Sequence, residues 1–302
     1  MRSQFRRRPI RVIVGLSLIA ILSSILILPV DAAPATRYPV LDFTTSAMHA
    51  FADPAASPPG VNVPCRLSLE HPRPIVLING THASMMLNWG GLGPVLANAG
   101  YCVYSETIGG HPDEFVQTCG PVRDSIDQIS RFIDDVLLET GARTVDIVGH
   151  SQGGLIAEYY TKFHGRDKVS NVALLSPTTH GSTLSGATLM PEPARSTAID
   201  LQAFDCAAVY DQLPTSDVVR ALNDGPVTVL GVSYTVIETR YEVIVTPGPS
   251  AAFIDEEGVE NLIVQDFCGQ DFSDHILLAY STTAWMLVLG AFDDSAPTRI
   301  RC

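Results

Sequence analysis

The chain has 302 residues, 46% hydrophobic and only 17% charged, which is enough for one large apolar core and too apolar for intrinsic disorder. Its formal net charge of −13 repels phosphate backbones and anionic surfaces, so nucleic-acid binding is excluded as a function class. The six cysteines, Cys65, Cys102, Cys119, Cys206, Cys268 and Cys302, include no CxxC pair, and no HxxxH pair occurs, so no metal is expected.

The amino-terminal residues read differently from the rest. Arg2, Arg6, Arg7, Arg8 and Arg11 precede an apolar run over residues 12–30, and Asp31-Ala32-Ala33-Pro34-Ala35 then supplies small residues. This is the layout of a secretory signal peptide over residues 1–33, with an uncleaved membrane anchor as the alternative. Cleavage leaves 14 basic and 31 acidic residues, a formal charge of −17. An even cysteine count in an exported chain points to three disulfides, and spacing alone leaves their pairing open.

Residues 34–64 are rich in Pro and Ala and are expected as an extended segment leading into a domain over 65–302. Ile75-Val76-Leu77-Ile78 predicts a buried strand ended by Asn79-Gly80, and residues 88–100 a helix stopped by Gly100. A strand is expected over 101–104. The spacing of Ile126, Ile129, Ile133, Val136 and Leu137 predicts a helix over 124–139, with Gly141 as its stop. Strands at 145–148, 172–175, within 227–237 and at 262–264 alternate with helices at about 154–163 and 276–289. That rhythm predicts a mostly parallel sheet covered by helices on both faces. It breaks over about 176–224, where a Ser-, Thr- and Pro-rich stretch reads as a cap or lid insertion or, alternatively, as a surface excursion.

Gly149-His150-Ser151-Gln152-Gly153 matches G-x-S-x-G, between a predicted strand and a predicted helix. A serine on so tight a turn projects its hydroxyl clear of the backbone, and the helix amino end offers N–H groups to a developing oxyanion. This motif in this context predicts the α/β-hydrolase fold with Ser151 as nucleophile. The fold's chain order places acid and then base after the serine. His164, His180 and His275 follow Ser151. His164 ends the helix that Ser151 begins, His180 precedes any segment able to supply the acid, and His275 follows the last strand where a base is delivered. Glu242 is the one carboxylate in residues 239–247 and is the expected acid, with Asp255, Glu256 and Glu257 as the fallback. The oxyanion donors are expected from Gln152 and from the loop Asn79-Gly80-Thr81-His82-Ala83. Asn79-Gly80-Thr81 is also a glycosylation sequon, at a strand end too buried for a sugar.

Together, residues 75–84, Trp89-Gly90-Gly91-Leu92, Gly149 to Gly154, the 239–247 loop and Asp274-His275 resemble the secreted bacterial-type class 2 triacylglycerol lipases and the related lipase B branch. The resemblance covers roughly residues 60–295. It implies Ser151, Glu242 and His275 as the catalytic triad and Thr81 and Gln152 as the oxyanion hole. One departure is that Glu242 stands where the family usually has Asp. The resemblance also implies Cys65–Cys102 and Cys268–Cys302, leaving Cys119 to Cys206. The implied activity is hydrolysis of carboxylic esters, acylglycerols above all, by a secreted monomer with transient contact to a lipid interface and no cofactor. Met85, Met86 and Leu87 follow the oxyanion loop and are expected either along an acyl channel or in ordinary core packing. The rival readings are a cutinase-like enzyme, a thioesterase or a small-ester carboxylesterase, and beyond these a catalytically impaired fold that binds lipid or a partner protein.

Overall fold

The computed structural model describes residues 37–293 and Cys302. The expected signal peptide, residues 1–33, lies outside the described residues. In chain order the elements are α1 (Phe43–Ala52), β1 (Ile75–Ile78), α2 (Met85–Trp89), α3 (Leu92–Asn98), β2 (Val103–Ser105), α4 (Val122–Thr140), β3 (Val145–His150), α5 (Gln152–Phe163) and β4 (Val169–Leu175). There follow α6 (Ala194–Ala203), α7 (Ala207–Asp211), α8 (Asp217–Leu222), β5 (Ser233–Glu238), β6 (Val259–Ile263), α9 (Val264–Phe267) and α10 (Thr282–Phe292).

The sheet is wholly parallel, in the order β2-β1-β3-β4-β5-β6. Parallel strands joined by helical crossovers are covered on both faces, which is why β1 and β3 are buried at every position and read as apolar runs rather than alternations. One apolar cluster gathers α4, α5 and the region after β4 on one face, through residues such as Ile126, Ile129, Ile133, Leu155 and Ile156. The other gathers α2, α3 and α10 on the opposite face, through Trp89, Leu92, Leu96, Leu287 and Val288. Helix α4 follows the predicted spacing and stops as predicted, with Gly141 at φ 69° donating its N–H to Leu137 O.

Three expectations change. The 34–64 segment is not wholly extended, because α1 forms within it; Asp42 caps the helix by accepting from the Thr45 N–H at 2.7 Å. The single helix expected over 88–100 is two short ones, broken at Gly90-Gly91; a Cβ at Gly91 would meet the Trp285 ring at 2.6 Å. The closing helix begins only at Thr282, capped by Ser281, after a 3-10 turn at Leu277–Tyr280. The 176–224 insertion holds α6, α7, α8 and a 3-10 turn. The disulfides are Cys65–Cys102, Cys119–Cys206 and Cys268–Cys302, the pairing that the resemblance implied.

Glu158 is fully buried in α5, where its Oε1 accepts from Thr179 Oγ1 at 2.6 Å. Burial pushes its carboxyl up to about 8, and the charge of Glu256 adds to the rise against the Thr179 hydrogen bond. A pKa raised on folding gives stability that is whole below the ordinary value of about 4.5 and is lost as pH climbs through about 8. Glu158→Gln keeps the acceptor without the charge. It is expected to melt above the parent at pH 8, by about 2–4 °C per kcal/mol recovered, with the difference vanishing at pH 4.5. Thermal melts at the two pH values check this.

Candidate active site

The chain turns from β3 into α5 in one residue. Ser151 sits at φ 56° and ψ −121°, a conformation that costs a non-glycine residue about 1–3 kcal/mol. Neighbouring backbone holds it there, for Ser151 N–H donates to Leu175 O at 2.9 Å. Two glycines make room. A Cβ at Gly149 would meet Gly153 O at 2.5 Å, and one at Gly153 would collide with the Ile78 carbonyl oxygen. The crossing of α5 over β1 is therefore possible only with glycine at 153. Gly80 comes as close from the other side, since its Cβ would meet Ser151 Cβ at 3.2 Å. The loop after β1 is thus packed against the serine.

His275 and Glu242 come from two loops beyond the carboxyl ends of β5 and β6. A backbone bridge pairs Tyr241 with Asp274, the residues just before them. Thr239 Oγ1 donates to Ser273 O at 2.6 Å, and Gln265 Nε2 donates to both Thr239 Oγ1 and Asp271 O at 2.9 Å. With the loops laced in this way, His275 Nδ1 donates to Glu242 Oε2 at 2.7 Å, both side chains being buried. Carboxylate oxygens only accept, so Nδ1 carries the proton and Nε2 is left as the basic nitrogen. The other oxygen, Glu242 Oε1, accepts from Ile244 N–H at 2.7 Å and Val245 N–H at 2.8 Å. Burial by itself would raise the Glu242 carboxyl. The hydrogen bond and charge of His275, with the two N–H groups, outweigh it and hold the group below its ordinary value.

His150, the residue before the serine, is buried and supports this arrangement. Its two ring nitrogens both face acceptors: Nε2 lies 3.0 Å from the His275 carbonyl and Nδ1 lies 3.1 Å from Asn88 Oδ1, which also accepts the Gly80 N–H at 2.8 Å. Burial, with the His275 ring beside it, pushes its pKa down to about 3, against the two acceptors that its ring nitrogens meet. Sequence reasoning passed over His150, because the variable position of a motif gives no sign that its side chain will reach a loop 125 residues away. Glu238 was passed over as well. It is buried at the end of β5, where burial and the Glu242 charge push it up to about 8, and it accepts from Ser176 Oγ and Thr239 N–H.

Ser151, His275 and Thr81 line one cavity of about 410 Å³. Its walls are largely apolar, including Phe43, Leu87, Leu184, Val209, Ile244 and Ile276. The 176–224 insertion supplies Leu184 and Val209, so it borders the cavity rather than forming a detached excursion. Met85 and Met86 are core residues of α2, and only Leu87 of the expected trio reaches the cavity. Thr81 Oγ1 donates to Gln152 Oε1 at 2.7 Å, which joins the two expected oxyanion residues. The Gln152 N–H opens α5 and has no intrahelical acceptor.

The remaining candidates lie elsewhere. The His180 ring is bound between Asn223 Oδ1 at 2.5 Å and Phe253 O at 2.9 Å, and His164 caps α5. Glu256 spends its carboxylate on the N–H groups of Val227 and Thr228. Asn79 is wholly buried, as expected for a sequon too enclosed to carry a sugar. Among the described residues, one group of candidate metal ligands comes together, His82, Cys119 and Cys206, and its two sulfurs form a disulfide.

Residues 73–204 match a protein family described as the alpha/beta hydrolase fold. Among solved structures, Aspergillus fumigatus lipase B superposes with a TM-score of 0.58 at 19% identity, over 76% of this chain and 54% of that one. This chain thus spans about half the length of that lipase. A lipase-esterase related protein from Clostridium acetobutylicum superposes at 0.52 with 13% identity, over 75% of this chain and 97% of that one. A structure reported for LipS and LipT, two metagenome-derived lipolytic enzymes, superposes at 0.51 with 13% identity, over 74% and 93%. The fold is the α/β-hydrolase fold, here with six parallel strands.

The Gly153 crossing gives a direct test. Gly153→Ala should displace α5 from β1 and lower stability by about 1–3 kcal/mol or more, read as a lower Tm. Gly290→Ala, inside α10 with nothing near its Cβ, is the control expected to melt at or slightly above the parent.

Proposed function

We propose that this protein is an exported serine esterase that hydrolyses carboxylic esters with apolar acyl chains, acylglycerols among them, through an acyl-enzyme on Ser151. The observation that carries the reading is the 2.7 Å bond from His275 Nδ1 to Glu242 Oε2, beside the cavity that also holds Ser151. It supports His275 as a base with the right tautomer and Glu242 as the group that stabilises the imidazolium.

In this mechanism His275 Nε2 takes the Ser151 hydroxyl proton as the oxygen attacks the ester carbonyl. The oxyanion that forms accepts from the N–H groups of Gln152 and Thr81 and from the Thr81 hydroxyl. His275 returns its proton to the leaving alcohol, and the acyl group stays on Ser151. Water then attacks that ester, giving one proton to His275, and Ser151 regains it as the acid departs. Glutamate in the Asp position is compatible with this work, because its longer chain meets the imidazole while Oε1 stays anchored on two N–H groups.

The apolar cavity walls favour an aliphatic acyl group, and the cavity volume lies within the range of small-molecule sites. The names of the superposed lipase and lipolytic enzymes agree with that class. Export is part of the proposal: three disulfides suit an oxidising compartment, and residues 1–33 read as a secretory signal.

Ser151→Ala should abolish hydrolysis of a nitrophenyl ester and labelling by a fluorophosphonate; retained turnover would sink the assignment. Glu242→Gln is expected to lower kcat by roughly 1,000- to 10,000-fold with the fold intact. Should Glu256→Gln have that effect instead, the acid is misassigned. Rates across acyl lengths, with and without an oil interface, separate an acylglycerol lipase from a cutinase-like enzyme, a thioesterase or a small-ester carboxylesterase.

A further inference from the structure

In the structure the Thr81 hydroxyl hydrogen is already engaged. Thr81 Oγ1 donates to Gln152 Oε1 at 2.7 Å, so its one hydrogen is not directed at a substrate oxygen. Gln212, which follows α7 in the insertion, reaches into the same pair. Its Nε2 donates to Thr81 Oγ1 at 2.9 Å and to Ala208 O at 3.0 Å, and lies 3.3 Å from Gln152 Oε1. The orientation of this amide is fixed. Ala208 O can only accept, so nitrogen must face it, and Gln212 Oε1 on the other side accepts from Thr178 Oγ1 at 3.2 Å. Gln212 is buried and borders the cavity.

An amide nitrogen with two hydrogens therefore sits among three acceptors, one of which already receives a hydrogen from Thr81. If the Thr81 hydroxyl turns its hydrogen toward an oxyanion, Gln152 Oε1, buried with its residue, loses its shorter bond and keeps only the 3.3 Å one from Gln212 Nε2. Leaving a buried acceptor with only that long bond opposes the turn. Gln212 Nε2, already within reach of that oxygen, is placed to make up the loss by turning one hydrogen from Thr81 Oγ1 more fully onto Gln152 Oε1. While the hydroxyl remains on Gln152, the same nitrogen occupies a lone pair of Thr81 Oγ1 and polarises its O–H.

We propose that Gln212 is a positioning residue of the oxyanion hole, which releases the Thr81 hydroxyl from Gln152 when negative charge develops on the substrate. It touches no reacting atom and acts through Thr81. The inference rests on the esterase reading above. It gives the insertion a part in the chemistry as well as in bordering the cavity, since the transition-state donor works only while α7 holds Gln212 in place.

The test is a double-substitution cycle on a soluble nitrophenyl ester, using Gln212→Met and Thr81→Val separately and together. Gln212→Met should lower kcat about tenfold with KM within about twofold, a smaller loss than the roughly 100- to 1,000-fold for removing an oxyanion donor. In the Thr81→Val background it should change kcat less than about twofold, because no hydroxyl remains to be released. An equal loss in both backgrounds, an effect confined to KM, or no loss would each overturn the proposal. Gln212→Glu covers the case in which the methionine variant does not fold. Its carboxylate accepts the Thr81 hydrogen and should depress kcat below the parent by more than tenfold, and parental kcat there also overturns the idea. Fluorophosphonate labelling of the parent at Ser151 keeps the two levels apart. An unlabelled parent defeats the esterase reading, whereas a labelled parent without coupling defeats only the role of Gln212.

Discussion

Between His150 and Gln152 the backbone goes from strand to helix through a single residue at positive φ, and the remaining geometry is arranged around that point. Such a turn has little stability of its own. It persists because α5 is pressed onto β1 at Gly153, closely enough that a methyl group there would strike the Ile78 carbonyl. Leu175 O fixes the Ser151 N–H from the next strand. The close approach of helix and strand thus sets the serine on the cavity wall, and it brings the first helical N–H beside the Thr81 loop. Parallel packing with both faces covered makes so tight a contact tolerable, because apolar clusters on either side keep water from competing for the backbone groups.

The buried titratable groups near the serine are held in different charge states by different means. Glu242 is buried yet stays ionised, since a histidine and two N–H groups surround it. Glu238, four residues earlier, has a hydroxyl, one N–H and a neighbouring negative charge, and burial prevails. Burial pushes the His150 pKa down, while both of its ring nitrogens face acceptors, the His275 carbonyl and Asn88 Oδ1. The two carboxyls thus divide into one that pairs as an ion with His275 and one that burial favours in its protonated form. The division follows from how many donors each carboxylate meets rather than from residue type.

The insertion after β4 cannot be treated as a module separate from the cavity. Leu184 and Val209 shape the cavity wall, while Gln212 joins the polar contacts of Thr81 and Gln152. The Cys119–Cys206 disulfide ties the start of α7 to the segment that precedes α4. A displacement of α7 would therefore alter the cavity wall and the Thr81–Gln152–Gln212 contacts together.

Local rules accounted for much of this in advance. Apolar runs bounded by Gly marked β1 and β3, three- and four-residue spacing marked α4 to within two residues at each end, and G-x-S-x-G between strand and helix marked Ser151. The order of the chain singled out His275 and Glu242, and their loops do meet. Elements whose form depends on distant partners were misjudged: α1 arises from an Asp42 cap inside a Pro-rich stretch, and the 88–100 helix breaks where Gly91 faces Trp285. His150, Glu238 and Gln212 were illegible for the same reason. Each matters through hydrogen bonds or burial created by residues far away in the chain, and no local pattern records those. The sequence by itself determined the strand-turn-helix and the residue types able to do acyl chemistry. Which nitrogen of His275 holds a proton, which carboxyl stays charged and which cap residue reaches Thr81 were decided only by the packed structure, because donor count and solvent access are properties of the assembled neighbourhood.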